Sequence, residues 1–236
     1  MWRIDFFSFS RVVEYFPQLL AKAPVTLLIA ASSTVFGLLL ATLISIVLLF
    51  KPPVLYQLSR VYISFMRAIP INIQLFIFYY GLPSMLTPVL RPFGINPNRA
   101  DAIYFVIATY AISSAAFLAV MLSASIRGVD SGQSEAALSI GMTRWQMFRR
   151  VIAPQAYHIA LPELGNNIVT NLKNTALAFT VGVIDMLGVV NSIGARTFHR
   201  LEGYVGVAFV YFVICTALEK LFSAVEKKSR LFRQAG

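Results

Sequence analysis

The sequence predicts an all-α integral membrane protein with about five transmembrane helices. Three observations carry this reading. Of 236 residues, 58% are hydrophobic and only 13% charged. Soluble domains carry roughly 25% charged residues, so this chain has too little polar surface to coat a globule, and its mean hydropathy of +0.72 agrees. Five apolar segments, approximately 24–50, 61–82, 102–126, 159–183 and 204–225, reach the length of about 20 residues that crosses a bilayer. The charged residues lie mostly between and after these segments.

The first run, which starts near Ala23, is much longer than the roughly 7–15 residues of a signal-peptide core. It reads as a retained span. Ahead of it, IDFFSFSRVVEYFPQLL (residues 4–20) patterns as an amphipathic helix lying on the outer surface. The second run is interrupted by Pro70, which predicts a kink or a discontinuous helix. A Pro/Gly-rich connection, LPSMLTPVLRPFGINPN, follows. The fourth run is unusually polar. With neither internal repeats nor low-complexity segments, the chain reads as one transmembrane domain over 1–236.

The net charge of +10 raises the question of nucleic acid. The basic residues form no stripe interleaved with aromatics, which excludes that partner, and their placement serves topology in a lipid bilayer instead. With five spans, twelve Lys/Arg fall on the side of the C-terminus and seven on the other. The positive-inside rule then places the N-terminus outside and the C-terminus in the cytoplasm. Cys215 is the sole cysteine, which leaves no intramolecular disulfide or Cys-based zinc site. His158 and His199 are the only histidines and lie far apart in the sequence, so no metal site is expected. No catalytic constellation and no Gly-rich loop with Lys and Ser/Thr is present, so the chain is not expected to be an enzyme or to bind ATP.

The most structured connection is 130–156, which contains EAALSIGMTRWQMFRRVIAPQ. Asp130 and Gln133 fit a capping box, a short helix runs through Glu135, Ala136, Ala137 and Leu138, and Gly141 supplies a left-handed terminus. Thr143 and Gln146 form a second box. Trp145, Phe148 and Ile152 share one face of the second helix, at i, i+3 and i+7, with Arg144 outside that face. A helix-turn-helix at the membrane surface results: either an interfacial element or a docking element for a soluble partner.

This segment resembles the EAA motif of the permease subunits of ABC importers, E-A-A-x-x-x-G followed by I-x-L-P, at Glu135, Ala136, Ala137, Gly141, Ile159, Leu161 and Pro162. The resemblance implies the type I importer permease fold, with the loop forming coupling helices that fit a cleft on each ATPase subunit. Glu135, Ala136, Ala137, Gly141 and Arg144 would then form the coupling surface. Phe65-Met-Arg67-Ala-Ile-Pro70-Ile-Asn-Ile-Gln74-Leu75-Phe76 is similar to the F-x-R-x-T-P-x-x-x-Q-L-F of polar amino-acid permeases. Tyr80-Gly81-Leu82-Pro83, Leu164-Gly165-Asn166 and Leu172-Lys173 also fit. Ser139–Thr143, Val129–Gln133 and Gly182–Met186 resemble the cystine-importer branch.

There are departures. Ile69 stands where Thr is usual. The usual Ala-Glu-x-x-Arg-Gly reads Ala119-Val120-Met-Leu-Ser123-Ala124, and the usual Lys-Asp-Thr-Ser-Leu reads Lys173-Asn174-Thr175-Ala176-Leu177. The lost charges suit a net-neutral solute.

Ionisable and amide groups inside a span are costly and mark function or packing. Asn167, Thr170, Asn171 and Asn174 fall on one helical face, lining a pore or packing helices. Lys173, near the middle of the fourth run, is a pathway residue or interhelical glue. Asn72 and Gln74, just past Pro70, are substrate-path candidates or interhelical hydrogen bonders.

Membership of the resembled family implies two ATPase subunits that carry ATP and magnesium, and a second permease copy, identical or a sister chain. It also implies an extracytoplasmic solute-binding protein, an amino-acid substrate and a bacterial inner (plasma) membrane. A secondary transporter would place acids or histidines near span midpoints, which the runs lack. A membrane scaffold would not require the polar stripe.

Overall fold

A computed structural model describes residues 7–234, with side chains through residue 228. Arg3 lies outside the described residues, as do the side chains of Arg230 and Arg233. All regular structure among the described residues is helical: α1 (Phe9–Phe50), α2 (Pro53–Ala68), α3 (Ile71–Phe76), α4 (Leu82–Leu90), α5 (Ala102–Arg127), α6 (Ser131–Ser139), α7 (Arg144–Met147), α8 (Ala153–Asn174), α9 (Met186–Thr197) and α10 (Arg200–Gln234). π-helical turns join α3 to α4 and α7 to α8, and a 3-10 segment, Thr175–Val181, extends α8.

Four helical segments among the described residues are long and apolar enough to span a bilayer: Phe9–Phe50, Ile71–Phe93, Ala102–Arg127 and Arg200–Lys228. A bent pair, Arg144–Val181 with Met186–Thr197, makes a fifth when taken as one span. Two of the expected boundaries shift. The first helix begins at Phe9, not near residue 24, and runs through Pro17 and Pro24. Residues 9–23 therefore form no separate surface helix, and residues 4–6 of the expected one lie outside the described residues. The apolar face of 9–23, Tyr15 and Leu19, is buried against Met186, Val189, Val190, Ile193, Val207 and Val210, because burial on α9 and α10 outweighs the cost of two internal prolines. The second span starts at Ile71 rather than 61. Residues 53–68 form a separate helix, with Ile63 and Met66 as its buried side chains.

The chain folds as two compact units. The first comprises the described part of Met1–Thr34 with Ile69–Tyr110 and Thr170–Ala217. Besides the cluster around Leu19, it holds a second core of Ile29, Leu75, Val106, Tyr110, Ala178, Val181 and Val183. The second unit comprises Val35–Ala68, Ala111–Val169 and the described part of Leu218–Gly236. Small residues let its helices approach closely, as expected where lipid supplies no hydrophobic drive. A Cβ on Gly37 would sit 3.0 Å from the Ala111 carbonyl oxygen, and one on Gly165 would sit 2.9 Å from Cγ of Phe222. The Tyr62 hydroxyl donates to the Ile112 carbonyl and so fastens α2 to α5.

Candidate functional site

The loop in the second unit is built from its caps outward. Asp130 accepts a hydrogen bond from the Gly132 amide at 2.8 Å and starts α6. The reciprocal half of the expected box is absent from the bonds that cap α6. Instead Gln155 donates to the Gln133 side chain at 3.4 Å, tying the start of α6 to α8. At the other end, Gly141 sits at φ +83°. Its amide donates to the Leu138 carbonyl at 3.0 Å, and the Met142 amide donates to the Ala137 carbonyl at 3.2 Å. This pair of bonds is the Schellman termination, which needs a left-handed residue.

Two residues on, Thr143 and Gln146 close the expected capping box in both directions, at 3.3 and 2.9 Å. The second helix then departs from expectation. Only Arg144–Met147 is α-helical, and Phe148–Ile152 is a π-turn. The wider turn breaks the i, i+7 alignment, so Ile152 is buried while Trp145 is 66% exposed. Phe148 stacks on Trp145, with ring centroids 6.1 Å apart.

The coupling candidates fall on this turn. Glu135, Ala136, Gly141 and Arg144 are exposed, and Ala137 is buried beneath them. Leu138 and Ile140 are exposed apolar residues in the same turn. A rigid, doubly capped turn with solvent-facing Ile140 and Trp145 is suited to being gripped by a soluble protein.

The polar candidates divide by environment. Asn171 is buried, and its Nδ2 donates to Ser33 Oγ at 2.8 Å and to Thr34 Oγ1 at 3.0 Å, fastening α8 to α1. Gln74 is also buried, and its Nε2 donates to the Ile69 carbonyl at 2.8 Å. The reason is local. The break at Pro70 redirects the Ile73 and Gln74 amides to the Pro70 carbonyl, so Ile69 loses its helical donor and the Gln74 side chain replaces it. Thr170 and Lys173 are exposed, while Asn72, Asn167 and Asn174 are half-buried. The Asn174 carbonyl accepts the Tyr110 hydroxyl at 2.8 Å. Asn167 Oδ1 is buried without a hydrogen-bond partner among the described residues.

Two acids escaped the sequence reading. Asp185, fully buried, caps α9 through the Gly188 amide at 2.8 Å. Glu202, also fully buried, accepts from Arg11 Nη1 at 3.1 Å and from the Ser8 amide at 3.2 Å. An Asp just ahead of an apolar helical run was a signal for the first. The second required knowing that residues 8–11 meet α10.

The family described as binding-protein-dependent transport system inner membrane component matches residues 33–231, which include the capped loop and the polar face of α8. The chain belongs to this family. It is a permease subunit of an ABC importer, a multi-span bacterial inner-membrane component that works with ATPase and binding-protein partners. ATP hydrolysis belongs to the separate nucleotide-binding subunits.

Among its relatives, the L-cystine transport system permease protein TcyL of Bacillus subtilis (strain 168) is 40% identical over 222 residues, covering 94% of this chain and 91% of that one. The probable amino-acid permease protein YxeN of the same organism is 36% identical, covering 92% and 95%. A solved structure of an amino acid ABC transporter with histidines superposes with a TM-score of 0.81 at 31% identity, covering 94% of this chain and 99% of that one. These findings give the all-α importer-permease fold expected from the loop motif. No group of three or more His, Cys, Asp or Glu suited to a metal ion occurs among the described residues.

Proposed function

We propose that this permease carries a polar, net-neutral amino acid, with L-cystine as its substrate, inward across the membrane. The observation that carries the choice of solute is the 40% identity, over nearly the full length of both chains, to a protein named as an L-cystine permease. The neutral Asn174, at a position where the resembled group carries charge, supports it. Two ATPase subunits dock on the exposed turn formed by Glu135, Ala136, Gly141 and Arg144, with Ala137 packed behind it. ATP and magnesium reside on those subunits. A second permease copy, identical or a sister chain, completes the pathway, and the N-terminus faces outward with the C-terminus in the cytoplasm. Asn72, Asn167, Thr170, Lys173 and Asn174 contact the solute along its path. Gln74 and Asn171 act beneath them by fixing the backbone at Pro70 and the seat of α8 on α1.

The test is reconstitution of this chain with its ATPase and binding protein, followed by ATP-dependent uptake of a labelled amino-acid panel that includes cystine. Saturable cystine uptake that unlabelled cystine suppresses and other amino acids do not is the expected result. Preferential uptake of a charged amino acid would overturn the choice of solute, and a complex that binds no ATPase would overturn the docking surface.

A further inference from the structure

Positive charge also gathers away from the loop and the polar face, within the second unit. A cavity of about 660 Å³ opens between Leu48 at the end of α1, Tyr56, Arg60 and Arg67 of α2, and Val120 and Arg127 of α5. Its lining includes three arginines and no acidic residue. Each guanidinium is held by a neutral neighbour. Arg60 lies 5.9 Å from the centre of the Tyr56 ring, Arg67 lies 5.3 Å from that of Phe117, and Arg127 donates to the Leu48 carbonyl. Rings and a carbonyl fix where these groups point without cancelling their charge. Each guanidinium has five donors, so several remain for an incoming acceptor.

The depth of the cavity narrows what that acceptor is. Arg127 is the last residue of α5, and Leu48 lies two residues before the end of α1. The cavity therefore opens where apolar helices end, at the level of lipid headgroups. Tyr56, Arg60, Ser64 and Arg67 recur on one side of α2, while Val54, Leu58, Val61 and Phe65 recur on another and are all exposed. A cationic face flanked by a bare apolar stripe fits a ligand with an anionic head and a hydrocarbon tail. A free inorganic anion would use the arginines and leave the stripe uncovered. Uncompensated arginines at membrane level are costly, and basic pockets between helices at this depth are matched by phosphate-bearing headgroups. Planar guanidinium forks suit phosphate oxygens in a bidentate way.

We propose that this cavity binds the phosphate headgroup of an anionic phospholipid in the leaflet at the loop end of the molecule, with the acyl chains lying along Val54, Leu58, Val61 and Phe65. The site is independent of which solute the permease carries.

The experiment is native mass spectrometry of the full-length permease in complex with its ATPase, titrated with phosphatidylglycerol, with phosphatidylcholine or with glycerol phosphate. Phosphatidylglycerol is expected to be retained selectively. Retention should fall by about tenfold or more, equivalent to about 1.4 kcal/mol or more, in Arg60→Gln and in Arg127→Gln. A second kind of variant leaves all three arginines in place: Val120→Glu puts a carboxylate in the lining, offsets one of its three positive charges and should weaken the preference. Equal retention of both lipids, or a phosphatidylglycerol preference unchanged in all three variants, would overturn the proposal. Glycerol phosphate binding as well as the lipid would assign the cavity to a soluble anion and overturn the lipid reading. Loss of the permease–permease contact in the variants, with lipid retention unchanged, would assign the cavity to a second copy of the chain.

Discussion

Replacing Gly141 isolates the contribution of backbone geometry to ATPase coupling. At φ +83° a Cβ would meet nothing within 4 Å, so any penalty arises from the left-handed conformation and not from crowding. For an ordinary L-residue that conformation costs about 1–2 kcal/mol, and a β-branched residue sits at the upper end. Asn tolerates the region and serves as the control. The penalty falls on a local equilibrium, the Schellman turn held by the bonds from Gly141 and Met142 to Leu138 and Ala137. A cost of one to two kcal/mol moves such an equilibrium by roughly 5–30-fold. Gly141→Val is therefore expected to weaken ATPase association by about that factor. Gly141→Asn should change it by less than about threefold, and neither should shift thermal unfolding of the transmembrane helices. Co-purification titrated with ATPase measures the first effect, and hydrogen exchange at the Met142 amide measures the fraying directly. An Asn variant as defective as the Val variant would refute the reasoning, because it would make space on the partner, not φ, the deciding quantity.

Three further outcomes follow from the packing. Asn171→Leu removes two donated hydrogen bonds to α1 at a buried position and should cost about 1–3 kcal/mol, read as a lowered melting temperature in detergent. Asn171→Gln, whose longer amide does not reproduce both bonds, should recover only part of the loss. Gly165→Ala drives a methyl into the Phe222 ring and should cost about 1–3 kcal/mol by overpacking; Phe222→Leu in the same chain should relieve it, which a double-mutant thermal series checks. Arg11→Leu leaves the buried Glu202 carboxylate with its principal cation removed, whereas Glu202→Gln removes the charge itself. The arginine variant should therefore melt lower than the glutamine variant, and the reverse order would show that the pair is held for some other reason.

The parts of this molecule that local chemistry dictates were legible in its sequence. Gly141 at positive φ, the Thr143–Gln146 box, the break at Pro70 and the helical class all follow from single residues or from hydropathy. What was not legible depends on distant partners. Nothing near Phe9 signals that α1 starts there, because the reward for continuing through Pro17 and Pro24 comes from α9 and α10. The π-turn at Phe148–Ile152 has no residue signature in this sequence, and it moved Ile152 off the face that the i, i+7 spacing assigned to it. Gln133 matched a capping box by type but faces Gln155 from α8. Among the polar residues of α8, spacing placed Asn171 and Thr170 side by side. Only the position of Ser33 and Thr34 separates the buried amide, fastened to α1, from its exposed neighbour.

The central claim is that the turn between α6 and α7 is where the ATPase grips this chain. A photo-crosslinking side chain at Ile140, 75% exposed on that turn, tests it against one at Phe198, 90% exposed after α9. Crosslinking in native membranes should join the ATPase to position 140 and not to position 198, and should weaken when Gly141→Val is added. Efficient crosslinking from position 198, with none from position 140, would contradict the account.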